Sequence, residues 1–182
     1  MMQRTLLINF QASPHNIYGG DRLMQKYDYK EIYFHIDKKG SIFTMPTGQR
    51  INPNMIVSLD IINTLEPSYS DSDVIRLIYD TFAQCYTQTK EGPPGSTALK
   101  DHFGKKYYST MRKVKLIDIS WNKDDGYYIT PIEGCLKVGI HLEDKRKILG
   151  LNPADEEFFL ALKQAVEEST TANKTDTWGS PW

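Results

Sequence analysis

The chain has 182 residues and a mass of 20.9 kDa, enough for one domain with a sizeable buried core. Hydrophobic residues make up 40% and charged residues 25%, with a formal net charge of −1, which excludes fibrous and intrinsically disordered classes and a strongly basic nucleic-acid binder. No run approaches the ~18 consecutive apolar residues of a membrane-spanning helix, and Cys85 and Cys135 have neither a disulfide framework nor metal-ligand spacing, so a reducing, cytoplasmic setting is expected.

Leu6, Leu7 and Ile8 suggest a short first strand, too brief for a signal-peptide core, and Ala12 to Gly20 reads as loop. Ile32, Phe34 and Ile36 then alternate with Glu31, Tyr33, His35 and Asp37, the pattern of a strand with one apolar and one water-facing side. Asp37-Lys38-Lys39-Gly40 supplies turn chemistry before Ser41 to Thr44 returns, which completes a hairpin. Pro46, Gly48 and Pro53 mark Met45 to Asn54 as loop. The apolar run from Met55 to Leu65 fits strand or helix, with β-branched residues leaning toward strand.

The first helix is better specified. Ser70 can cap with Asp73 three residues on, and Val74, Ile75, Ile78, Phe82, Cys85 and Tyr86 recur at helical spacing, ending near Thr87. Lys90 to Ser96 is a Gly- and Pro-rich breaker, and Ala98 to Thr110 reads as a short helical turn. Val114 and Leu116 alternate with lysines before Ile117, Ile119 and Trp121 take the opposite phase, which predicts a bulge. With Tyr127 to Thr130 and Leu136 to Leu142, this strand forms an antiparallel meander.

In the final helix Asn152 is the expected cap and Pro153 the first helical residue, with Asp155, Glu156 and Glu157 on the positive end of the dipole. Phe158, Phe159, Leu162, Ala165 and Val166 form its apolar stripe. The expected architecture is a single α+β domain over residues 1–169, a mostly antiparallel sheet of short strands with two main helices packed against it. Residues 170–182 read as a flexible tail.

Charge is unevenly distributed. Residues 100–115 carry six basic side chains against Asp101, whereas Asp118 to Glu168 holds eleven acidic and six basic ones. An acidic stretch of that kind can steer a basic partner. Glycine-rich phosphate loops, zinc-binding His pairs and nucleophile elbows are missing from the sequence. One segment has chemistry-bearing residues, Asp101 to Tyr108. There His102 as general base, with Lys105 or Lys106 stabilising a phosphorane, would suit a small metal-free ribonuclease. Such an enzyme needs a second histidine, from His15, His35 or His141.

The stretch from Gly126 to Ser169 resembles the immunity proteins of bacterial contact-dependent growth inhibition. The matching residues are Gly139, Leu142, Leu149, Gly150, Asp155, Leu160, Leu162, Ala165 and Ser169. The resemblance implies a non-enzymatic cytoplasmic protein, without cofactor or metal, that neutralises an incoming toxin by covering its active site. Such toxins are commonly nucleases, which bind phosphate and tend to be basic. The acidic C-terminal stretch would then be the complementary surface, with Asp124, Asp125, Tyr127, Asp144, Asp155, Glu156 and Glu157 as the expected toxin-binding residues. Neither a membrane nor nucleic acid is expected as a direct partner.

Overall fold

A computed structural model of the chain describes residues 28–50, 55–90, 98–134, 139–173 and Trp178. The expected first strand and the Ala12–Gly20 loop lie outside these residues, as do Cys135 and His15.

The hairpin forms as the alternation dictates. Strands β1 (Tyr29–Asp37) and β2 (Ile42–Arg50) pair antiparallel, with Ile36 opposite Ile42. The Asp37 Oδ1 atom accepts from the Lys39 and Ser41 backbone N–H groups at 2.8 and 2.9 Å, and Gly40 takes φ +89° to close the turn. β2 continues to Arg50, through the segment expected to be loop. Pro46 ends the ladder with β1, and from Thr47 onward β2 pairs instead with β3 (Met55–Ser58). Proline is accommodated there because the ladder changes partners. Gly48 allows the close approach of Leu59, whose Cδ2 would lie 2.5 Å from a Cβ. The ambiguous run from Met55 to Leu65 is two short strands, β3 and β4 (Asn63–Leu65).

Helix α1 (Asp71–Gln84) starts with a complete capping box, in which Ser70 Oγ accepts from Asp73 N–H and the Asp73 carboxylate accepts from Ser70 N–H at 2.9 Å. It is followed by β5 (Thr89–Lys90), then α2 (Ala98–Phe103), a 3-10 turn (Gly104–Lys106) and α3 (Tyr107–Met111). β6 (Val114–Asn122), β7 (Gly126–Glu133), β8 (Ile140–His141) and β9 (Lys147–Gly150) complete the sheet, and α4 (Asp155–Glu168) closes the chain order.

The fold is α+β, as expected. The sheet runs β3-β2-β1-β6-β7-β8, with β4 and β5 on β2 and β9 on β7, and the single parallel pairing among these strands is β2 with β5. Helices α1 and α4 cover one face. Their stripes, Val74, Ile75, Ile78 and Phe82 from α1 and Phe158, Phe159, Leu162 and Val166 from α4, pack on Ile32, Phe34, Ile36, Ile117, Ile119 and Ile129. The α2–α3 segment lies over the other face, where Phe103, Tyr107 and Met111 meet Phe43 and Val114.

This second cover accounts for two differences from expectation. The polar phase of β1 does not face water throughout: Glu31, Tyr33 and Asp37 are partly exposed, but His35 is 3% exposed and stacked 4.6 Å from Phe43, and burial lowers its pKa to about 4. β6 contains no bulge either, because its register with β1 is unbroken from Val114 to Asn122. Apolar residues occupy both of its phases because both faces are covered. The sheet's irregularity falls instead between Tyr127 and Tyr128, in the β7–β9 pairing.

Two buried lysines tie the sheet to its helices. Neither α1 nor α4 carries a basic residue in its last turn. Lys30 Nζ, from β1, donates to Phe82 O at 3.2 Å, and Lys115 Nζ, from β6, donates to Val166 O at 2.6 Å. Each ammonium therefore meets the negative end of a helix dipole from below.

The helix α4 begins later than expected. Ala154, not Asn152, occupies the N-cap position with extended backbone, and Pro153 lies buried in the preceding turn. No side chain caps this end, so Asp155, Glu156 and Glu157 in the first turn supply the negative charge. The chain does not leave the body at Ser169. Thr170 bridges to Glu133, Asn173 N–H donates to Arg112 O at 3.0 Å, and Trp178 packs against the core under Lys115 Nζ, 4.8 Å from the ring centroid.

Candidate functional site

The acidic residues singled out in the sequence come from two loops that the sheet brings together. Asp124 and Asp125 lie in the β6–β7 turn, where Asn122 Oδ1 accepts from both of their N–H groups, at 2.9 and 2.7 Å. Gly126, which ends the turn, packs directly on Gly150 at the end of β9. Five residues beyond Gly150, α4 begins with Asp155, Glu156 and Glu157. All five carboxylate residues are exposed. Exposed apolar residues accompany them: Ile148 on β9, Leu151 just after it, and Leu160 one helical turn beyond Glu156 and Glu157.

Tyr127 does not belong to this surface. It is 5% exposed and its ring packs edge-on against Phe82 and Phe158, at 5.6 and 5.5 Å between centroids. Its phase in β7 points toward the helices, so its role is in the core rather than in binding. Asp144 is exposed on a 3-10 turn (Glu143–Lys145), and it is the neighbouring Glu143 that joins the Asp124–Asp125 turn through a chain of contacts over β7. Arg146 pairs with Glu143 at 2.5 Å and sits 5.6 Å from the centre of the Tyr128 ring, and Tyr128 Oη donates to Asp125 at 2.7 Å.

Sequence reading missed a further group on the outer face of the sheet. Asp118 of β6 lies opposite Tyr33 of β1 and Thr130 of β7. Its side chain is 6% exposed; Oδ2 is 3.8 Å from His141 Nδ1, and Oδ1 has no hydrogen-bond partner among the described residues. Glu31 is its neighbour and is approached by the Tyr29 hydroxyl at 3.4 Å and by that of Tyr33. Burial, reinforced by the Glu31 charge, pushes the Asp118 carboxyl up to about 8, although Arg146 acts in the opposite direction. His141 Nδ1 also lies 3.7 Å from Glu143. The available signal was Asp118 set between Ile117 and Ile119; the partners are spread over more than a hundred residues of sequence.

Among the described residues, His102 is not paired with His35 or His141; His15 lies outside them. His102, Lys105 and Lys106 are exposed on α2 and the 3-10 turn. The Phe103 and Phe43 rings stand between His102 and His35, in successive contacts of 4.6, 5.2 and 4.6 Å. His141 is committed to the Asp118 group instead. Among the described residues no group of three or more His, Cys, Asp or Glu side chains is placed to hold a metal ion, and no helix is long and apolar enough to cross a membrane.

The fold and these surfaces define an α+β protein with a curled, mostly antiparallel sheet, covered by helices and acidic at one end. No family model matches the chain, and no curated protein matches it. Among solved structures, it is similar to a protein of unknown function from Neisseria meningitidis, with 12% identity and a TM-score of 0.57. That likeness covers 78% of this chain and 95% of the other, and at such identity it extends to the fold alone.

Proposed function

We propose that the chain is an immunity protein of the contact-dependent growth inhibition type, binding a basic toxin domain, commonly a nuclease, and covering its active site. The observation that carries this reading is the packing of Gly126 on Gly150 and Leu151, which sets the exposed Asp124–Asp125 turn beside the segment that holds exposed Ile148 and Leu151 and leads into the exposed Asp155, Glu156 and Glu157. Apolar side chains rimmed by charge suit a protein partner, the apolar groups supplying desolvated contact area and the rim setting specificity. Like-signed carboxylates on that rim would raise the encounter rate with a basic protein and disfavour acidic ones. The resemblance carried by the segment from Gly126 to Ser169 points the same way. Several of its residues have folding roles here: Leu162 and Ala165 are core, and Ser169 Oγ is held 2.8 Å from Ala165 O and 3.2 Å from Leu116 O. In this reading the protein acts in the cytoplasm without a cofactor and touches no nucleic acid directly.

The test is genetic. The product of the coding region immediately upstream, which this reading requires to be toxic, is produced in cells with and without this chain. Growth restored by the chain supports the reading, and growth arrest in both strains refutes it.

A further inference from the structure

The acidic end is not the only acidic feature of the surface, and the group around Asp118 differs from it in being partly sealed. Three carboxylates, Glu31, Asp118 and Glu143, converge on the outer face of the sheet, and the guanidinium among them, Arg146, is already paired with Glu143 at 2.5 Å and bonded to Thr130 Oγ1 at 3.1 Å. Asp118 Oδ1 is left without a hydrogen-bond partner among the described residues. A buried acceptor in that state costs free energy unless a proton or a cation supplies what is missing.

We propose that Glu31, Asp118, His141 and Glu143 form a receptor for one guanidinium side chain of the protein partner. This deepens the immunity reading and rests on it for the partner's identity. Tyr29, His141 and Glu143 beside the buried Asp118 are partly exposed, at 37%, 39% and 57%, so the group is approached from their side. His141 belongs to a two-residue strand, and turning its ring away from Asp118 Oδ2 uncovers the carboxyl. The acceptors come from β1, β6, β8 and the 3-10 turn that follows it, and such a spread of acceptors suits a planar fork of five donors better than a compact ammonium. The Tyr29 and Tyr33 rings beside Glu31 offer flat surfaces for the same group. Tyr128, between Arg146 and Asp125, connects the receptor to the acidic rim. An incoming guanidinium takes the place of the proton on Asp118: the O–H bond breaks, the proton passes to water, and the ion pair replaces it.

The test uses the full chain with 13C-labelled carboxyl groups, followed by NMR. N-acetylargininamide is the probe and N-acetylcitrullinamide, its uncharged isostere, the control. The charged probe is expected to shift the Glu31 and Asp118 resonances saturably and to lower the Asp118 titration midpoint by about one unit, a tenfold effect. The control leaves both unchanged. Equal responses to the two compounds, or shifts confined to Asp124, Asp125 and Asp155, overturn the receptor. Asp118→Asn is expected to weaken the charged probe about tenfold, and undiminished binding in that variant also overturns it. Should the variant fail to fold, the two probes on the unaltered chain still decide. Probe binding without growth rescue would leave the receptor standing and remove the immunity reading, and rescue without probe binding would do the reverse.

Discussion

Gly126 and Gly150 are in backbone contact: a Cβ on Gly126 would fall 1.9 Å from Gly150 O. Gly126 also holds φ +87°, a conformation that L side chains rarely adopt. This contact joins the Asp124–Asp125 turn to the segment leading into α4, so it positions both halves of the acidic end. Gly126→Ala must push the two strands apart as well as strain the backbone, a loss of about 3 kcal/mol. Thermal unfolding should show a midpoint lower by ~6–12 °C, and an unchanged midpoint would mean that the contact is not made.

The two buried lysines should not be equivalent. Phe82 O, which accepts from Lys30, also accepts from the Cys85 N–H at 3.2 Å, whereas Val166 O depends on Lys115 at 2.6 Å. Lys115→Met leaves a helix-end carbonyl unpaired and should cost about 1–3 kcal/mol. Lys30→Met, which keeps that carbonyl bonded, should cost less. Urea unfolding of both variants compares them, and an equal or reversed order would contradict the assignment.

Asp118 makes stability depend on pH in a defined direction. Its folded-state pKa, about 8, lies above the ordinary carboxylate value, so the native state binds the proton more tightly than the unfolded chain. Stability contributed by the protonated form is complete below the unfolded pKa, is lost as pH rises from there through about 8, and changes no further once both states are deprotonated. Asp118→Asn removes the charge and should raise stability by on the order of 1–2 kcal/mol above pH 8, with the gain vanishing near pH 4. Unfolding curves at the two pH values check this, and a gain of equal size at both would refute the buried-charge account.

A ribonuclease built on His102 would cleave bulk tRNA, and His102→Ala would abolish the cleavage. With Phe103 and Phe43 between His102 and His35, the expected outcome is intact tRNA from the purified chain. Cleavage that disappears in the variant would replace the binding account with a catalytic one.

The elements legible in the sequence are those whose signals are local. Ser70 and Asp73 announced the start of α1, Asp37 and Gly40 the first turn, and the α4 stripe its buried face, because each depends on residues within one turn of chain. Tyr127 was misread because α1 and α4 cover its side of β7, and β1 and β6 for a different reason. Alternation shows which residues share a face, but it does not show that a second layer, here Phe103, Tyr107 and Met111, covers the face presumed wet. The Asp118 group was invisible for the same reason, since Glu31, Asp118 and His141 become neighbours only through strand order. The carboxylates singled out in the sequence are exposed, while the Gly126–Gly150 contact that joins their two segments is a property of the fold.

Reversing the charge of Asp124, Asp125, Glu156 and Glu157 together should leave the fold intact, since all four are exposed. It should slow association with a basic toxin and flatten its dependence on salt. Stopped-flow association rates at two ionic strengths give the answer, and rates unaffected by the reversal would move the interface away from this end.

The central claim is tested most directly by titrating this chain into the purified upstream-encoded toxin domain and measuring the toxin's catalytic activity. The account predicts that activity falls linearly and is abolished at one equivalent. Full toxin activity in the presence of a large excess of the folded chain would contradict it.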